Sequence, residues 1–192
     1  LLEAEGYRVA IVPQPNWRDD LRDFRKLGTP RLFFAVSGGA MDSMVNHYTA
    51  NKRLRSNDAY TAGGKAGFRP DRAVRTYTQI LKRLYPHVPV VVGGIEASLR
   101  RLTHYDYWDE RLMPSLLVDS GADLLVYGMG EKVIQEVAAA MRNGFNAKLL
   151  RRLRQVAFVA DRTYVDRLDE EQTIRLHSFE ECCRDKQAFA EN

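Results

Sequence analysis

The chain has 192 residues, 45% of them hydrophobic, with 29 Lys and Arg against 25 Asp and Glu. That is room for one cored domain plus an appended segment, and the mild net charge of +4 permits nucleic-acid contact without arguing for it. No apolar run approaches bilayer-spanning length, no basic-then-apolar leader is visible, and adjacent Cys182 and Cys183 cannot form a disulfide scaffold, so a reducing cytoplasm is expected.

Leu1–Gly6 reads as the end of a helix closed by glycine, from which a longer natural protein is expected. Tyr7–Val12 carries β-branched residues and predicts a strand stopped by Pro13 and Pro15. Asn16 can cap a helix running through Leu21 and Phe24 to Lys26, with Gly28 closing it. Arg31–Val36 is the next strand; it ends in Ser37-Gly38-Gly39, and a short helix follows from Met41 to Tyr48. Asn51–Arg69 holds three glycines, five basic residues and no period, which predicts a long surface loop.

Pro70 and Asp71 open a helix whose buried face is Val74, Tyr77, Ile80, Leu81 and Leu84, ending near Tyr85 before Pro86. Val88–Val92 is a strand, followed by a loop through Tyr105 and Trp108 and a helix from about Asp109 to Ser120. Asp123–Tyr127 is again a strand. The helix after Gly130 puts Val133, Ile134, Val137, Ala138 and Met141 on one face and stops at Gly144. Val156–Ala160 reads as a fifth strand or a packed extended segment. Ser178-Phe179-Glu180-Glu181 is a capping box opening a helix to about Ala190.

This order predicts an α/β fold: a doubly wound, mostly parallel, flavodoxin-like sheet in three αβα layers. Its first strand is expected before Leu1, and a helical extension closes the chain. Residues 1–145 form the α/β domain, and 146–192 form a connecting segment and helix.

The unbroken runs Val90–Val92 and Leu124–Tyr127 each end in a glycine turn and a polar, helix-prone stretch, as buried parallel strands do when they open a ligand crevice. The crevice candidates are Ser37, Gly38, Gly39, Asp42, Gly93, Gly94, Glu96, Gly128, Gly130 and Glu131. Glycine there allows close ligand approach or simply packs a turn, and the two glutamates at helix starts read as caps or as reactive groups. His47-Tyr48 and His104-Tyr105-Asp106-Tyr107-Trp108 carry hydrogen-bonding aromatics into loops, where they could stack on a substrate or nucleotide, dock a missing domain, or pack in a core. Lys52, Arg53, Arg55 and Lys65 could contact RNA phosphates, with Tyr60 and Phe68 as stacking residues, or be solvated. His87 and His177 sit at helix ends and are not ligand candidates.

Three stretches resemble the N-terminal region of YgiQ-type (UPF0313) radical SAM proteins: Met41–Thr49, Gly93–Arg101 with His104–Trp108, and Ala122–Glu131. The two glycine turns are also similar to those of cobalamin-binding-like domains that precede radical SAM barrels. The resemblance spans nearly the whole chain. It implies a barrel after Asn192 in which a Cys-x-x-x-Cys-x-x-Cys motif holds a [4Fe-4S] cluster and S-adenosylmethionine. It also implies that this fragment binds neither cluster nor metal, is inactive alone, and serves as an accessory domain that covers or selects substrate. Cobalamin is not expected, because no Asp-x-His-x-x-Gly stretch occurs. The alternatives are a docking or RNA-binding module of the same protein, and a free-standing nucleotide binder. The barrel is the expected partner, with no membrane involved.

Overall fold

The structure, a computed structural model, describes residues 1–144 and 150–192. Among them the elements run α1 (Arg22–Arg25), β1 (Phe34–Ser37), α2 (Ser43–His47), α3 (Ala73–Leu84), β2 (Val90–Gly93), α4 (Gly94–Leu99), β3 (His104–Asp106) and β4 (Arg111–Met113). Then follow α5 (Leu116–Ser120), β5 (Leu124–Val126), α6 (Glu131–Arg142), β6 (Val156–Ala157), α7 (Arg162–Val165), α8 (Phe179–Arg184) and α9 (Lys186–Glu191). The expected boundary at residues 145 and 146 lies outside the described residues.

Successive residues of a strand point to opposite faces, so an all-apolar strand needs cover on both. Val90 and Val92 of β2, with Val36 and Leu125, face a core closed by Val74, Tyr77, Ile80 and Leu81 of α3 and by Leu116 and Leu117 of α5. Val91, Leu124 and Val126 face the opposite core, closed by Val133, Val137, Ala140 and Met141 of α6. The result is the expected three-layer αβα arrangement. The sheet order is β1-β2-β5-β6; the first three strands are parallel and β6 runs antiparallel to β5, pairing Val156 with Val126.

Several elements differ from the sequence reading. Tyr7–Val12 pairs with no strand among the described residues, and Ile11 is 83% exposed; β-branched residues give a strand only where a sheet edge receives them. The helix expected from Asn16 shrinks to α1. Side chains of Asn16, Asp19 and Asp20 accept the backbone N–H groups of Arg18, Leu21 and Arg22, a local arrangement that competes with helix.

The helix expected from Asp109 is confined to α5. Its first part is instead β4, paired with β3 in an antiparallel hairpin. Pro114 disfavours a helical Met113, and Ser115 caps α5 by accepting from Leu117 N–H. The predicted capping box at Ser178 and Glu181 is present, but the helix breaks at Asp185, which caps α9. Finally, the 51–69 segment is pinned rather than loose. Bridges Tyr48↔Leu54 and Asn57↔Lys65 fold it back, and the N-terminal arm lies across it through Gln14 to Tyr60 and Trp17 to Phe68.

Candidate functional site

At the carboxyl ends of β1 and β2, the glycine turns close on each other. Gly94 has φ +81°, and a Cβ there would stand 2.5 Å from Ser37 Oγ; one at Gly38 would stand 2.7 Å from Glu96 Oε2. Ser37 Oγ itself accepts the Gly39 N–H. The third turn is equally filled: Gly128 N–H donates to Ser98 Oγ, and a Cβ at Gly130 would press on Val126. These glycines serve turn-on-turn packing. Gly94→Ala is expected to cost about 1–3 kcal/mol by urea denaturation, since it combines left-handed backbone strain with a clash. Gly6→Ala, at φ +81° with open space around it, should cost less.

Glu96 occupies the space an open crevice would have. It is 2% exposed and accepts from Ser43 Oγ (2.7 Å), from Ser43 N–H (3.4 Å) and from Val74 N–H (2.9 Å), and so satisfies the amino ends of α2 and α3 together. Burial pushes its carboxyl above the ordinary value, against the pull of Ser43 Oγ and the Val74 N–H. The cap it provides belongs to helices 22 and 53 residues away rather than to its own. Asp42 caps α2 through Met44 and Val45 N–H and pairs with Arg100. Glu131 is exposed in the first turn of α6, where a carboxylate is favoured by the helix dipole.

The open recess lies beside this, between α2, the start of α3, the 54–72 segment and the N-terminal arm. Its volume is about 370 Å³, and Trp17, Arg18, His47, Tyr48, Arg55 and Asp71 are among its walls. Asp71 does not open α3. Its Oδ1 sits 3.0 Å from His47 Nδ1 and its Oδ2 accepts from Tyr48 Oη at 2.8 Å, which raises the tyrosine's pKa. Because a carboxylate only accepts, the proton of His47 is assigned to Nδ1. His47 Nε2 lies 3.6 Å from Asp58 and makes no hydrogen bond.

Behind it, Asp58 is 1% exposed and is held by Arg69, which donates Nε to Oδ2 at 3.0 Å and Nη1 to Gly38 O at 3.3 Å. Burial opposes ionisation of Asp58, but Arg69 and the Tyr60 N–H outweigh it and hold the carboxyl well below the usual range.

The second aromatic group does not reach this recess as a unit. Asp106 is buried and anchors Arg72 (2.8 Å) and the Trp108 and Asp109 N–H groups; burial opposes its ionisation, and those partners prevail to lower its pKa. Tyr107 Oη donates to Ala50 O, and Tyr105 is exposed. His104 Nδ1 rests against Leu102 O, and burial lowers its pKa. Of the four basic candidates, Lys52 is neutralised by Glu110, Arg53 and Lys65 are exposed, and Arg55 enters the recess. Trp17, Arg18, Asp58, Arg69 and Asp71 were not singled out from sequence. The dense Arg69-Pro70-Asp71-Arg72 run was the available signal.

Helix α4 is turned inside out. Glu96 and Ala97 are buried, while Ile95 and Leu99, one turn apart, are exposed, Leu99 at 63%. The Ser98–Gly128 bond brings the next turn alongside, where Met129 is 79% exposed.

Cys182 is buried against Asn192 Nδ2, and Cys183 is exposed. Two adjacent thiols cannot supply the three thiolates of a [4Fe-4S] site, and among the described residues no group of three or more His, Cys, Asp or Glu is placed to hold a metal. The cluster does not fit this chain's own residues. Among the described residues, no helix is long and apolar enough to cross a membrane.

Comparison with known proteins agrees with the resemblance in the sequence. A family model described as "Radical SAM N-terminal" matches residues 1–192. A UPF0313 protein of Porphyromonas gingivalis is 59% identical over the whole chain, which covers 30% of that protein. One from Bacteroides thetaiotaomicron is 57% identical, with 32% covered, and one from Pseudomonas putida is 54% identical over 83% of this chain, with 21% covered. No solved structure matches. The chain thus spans about a third or less of the length of these relatives, and it belongs to the radical SAM N-terminal family.

Proposed function

We propose that the chain is the accessory domain of a radical SAM, [4Fe-4S]-dependent enzyme, docked against its own barrel and helping to cover or select the substrate. The observation that carries this reading is the reversed face of α4. Ile95, Leu99 and Met129 are apolar side chains left exposed on the α4 helix and on the turn that Ser98 holds beside it, as a docking face would require. The relatives' additional length supplies an occupant. In this reading residues 1–145 are the body of the module, and 146–192 lead to the barrel. The cluster and S-adenosylmethionine belong to the barrel, where they would supply one-electron chemistry.

The experiment uses a longer protein containing this region. After anaerobic iron-sulfur reconstitution it should cleave S-adenosylmethionine to 5′-deoxyadenosine when reduced, and the 192-residue chain should not. Ile95→Asp with Leu99→Asp should leave cluster absorbance in place yet speed limited proteolysis between the two parts. Cleavage by the short chain alone sinks the reading, and an unchanged proteolysis pattern removes the docking face.

A further inference from the structure

The recess beside His47 has an unusual charge balance. Arg69 is matched by Asp58, Arg72 by Asp106 and Asp109, and Arg75 by Asp119. Arg18 and Arg55 also line the recess, and among the described residues neither has a carboxylate partner. Both are nevertheless fixed. The Arg18 guanidinium stacks over the Trp17 ring at 4.7 Å, and Arg55 donates Nε to Tyr48 O at 3.2 Å. Each anchor consumes little of the guanidinium's donor capacity and none of its charge. The terminal N–H groups remain available in the fork geometry that suits an oxyanion.

Among the residues that line the recess, the carboxylate is Asp71, half-exposed and oriented by His47 and Tyr48. A ligand that is only an anion would be repelled there. One that also carries a hydroxyl could donate it to Asp71, whose two oxygens retain lone pairs beyond those bonds. A recess of about 370 Å³ suits a molecule of sugar-phosphate size and excludes a folded macromolecule.

We propose that this recess binds a small phosphate ester bearing free hydroxyls, with Arg18 and Arg55 on the phosphate and Asp71 on a hydroxyl. Nothing in this site uses the α4 face, so the proposal stands whether or not the chain docks on a barrel.

Calorimetric titration of the chain with ribose 5-phosphate, ribose and inorganic phosphate tests it. Ribose 5-phosphate should bind, and ribose should give no signal. Arg18→Gln and Arg55→Gln should each weaken the ester about tenfold, the loss of one charge-assisted contact. Asp71→Asn should weaken the ester while binding inorganic phosphate no more weakly than the wild-type chain does, since the variant loses the hydroxyl acceptor and the repelling charge together. Lys65→Gln, on an exposed side chain outside the recess, should change nothing. Both arginines are exposed, so these variants should fold, and circular dichroism verifies that. No ester binding at millimolar concentration overturns the proposal. Equal loss on Lys65→Gln and Arg55→Gln does so too, because it would mean diffuse charge attraction.

Discussion

Glu96→Ala is expected to destabilise the protein by about 3 kcal/mol or more, because a buried donor left unmade costs about 1–3 kcal/mol and three are stranded here. For a chain of this size that is a fall of about 6–12 °C in melting temperature. The stranded groups are Ser43 Oγ, the Ser43 N–H and the Val74 N–H, at the amino ends of α2 and α3. The side chain also leaves a void where Gly38 now packs against it.

The effect has a pH signature. Burial raises the folded-state pKa of Glu96, so the native protein holds this proton more tightly than the unfolded chain. The stability contributed by protonation is full below the ordinary carboxylate value and is lost as pH rises through the raised one. Glu96→Gln should remove that falling slope above the ordinary carboxylate range in urea titrations. A wild-type slope in the glutamine variant would show that Glu96 is not its origin.

Arg69→Ala should be more damaging still, at about 3–5 kcal/mol, the range for breaking a buried pair from one side. It strands Asp58 and removes the donor to Gly38 O, which ties the 51–69 segment to the end of β1. Lysine should not rescue it, since one ammonium cannot replace a fork that serves Asp58 and a carbonyl at once. Replacing Asp58 by Asn in the Arg69→Ala background should recover part of the loss by removing the unpaired charge. The depressed pKa of Asp58 gives the opposite pH trend from Glu96: its stability is present above the ordinary carboxylate range and drains away as pH falls through its folded value. A cost below about 1 kcal/mol for Arg69→Ala would place the pair among inconsequential ones.

These two sites mark what could be read in the sequence. The strands β2 and β5 were legible because a run of valine and leucine has no other use than burial on two faces, and α3 and α6 because their apolar residues recur at helical spacing. The Ser178 cap was legible because all its parts lie within four residues. Glu96 was not, since its partners come from residues 43 and 74 and only the fold brings them together. The glycine turns were located correctly, but their geometry serves packing against Ser37 and Glu96. The recess was invisible for a similar reason: Trp17, His47, Arg55 and Asp71 come from four separate segments.

The two rims of the sheet are unequal. β6 has two residues and runs against the direction of its neighbours, so it offers almost no ladder to extend. β1 has four residues and, among the described residues, pairs only with β2, leaving a full outer row of backbone donors and acceptors. Of the two rims, β1 therefore offers the longer row for another backbone to pair with. Among the described residues, the sheet is open chiefly on one side.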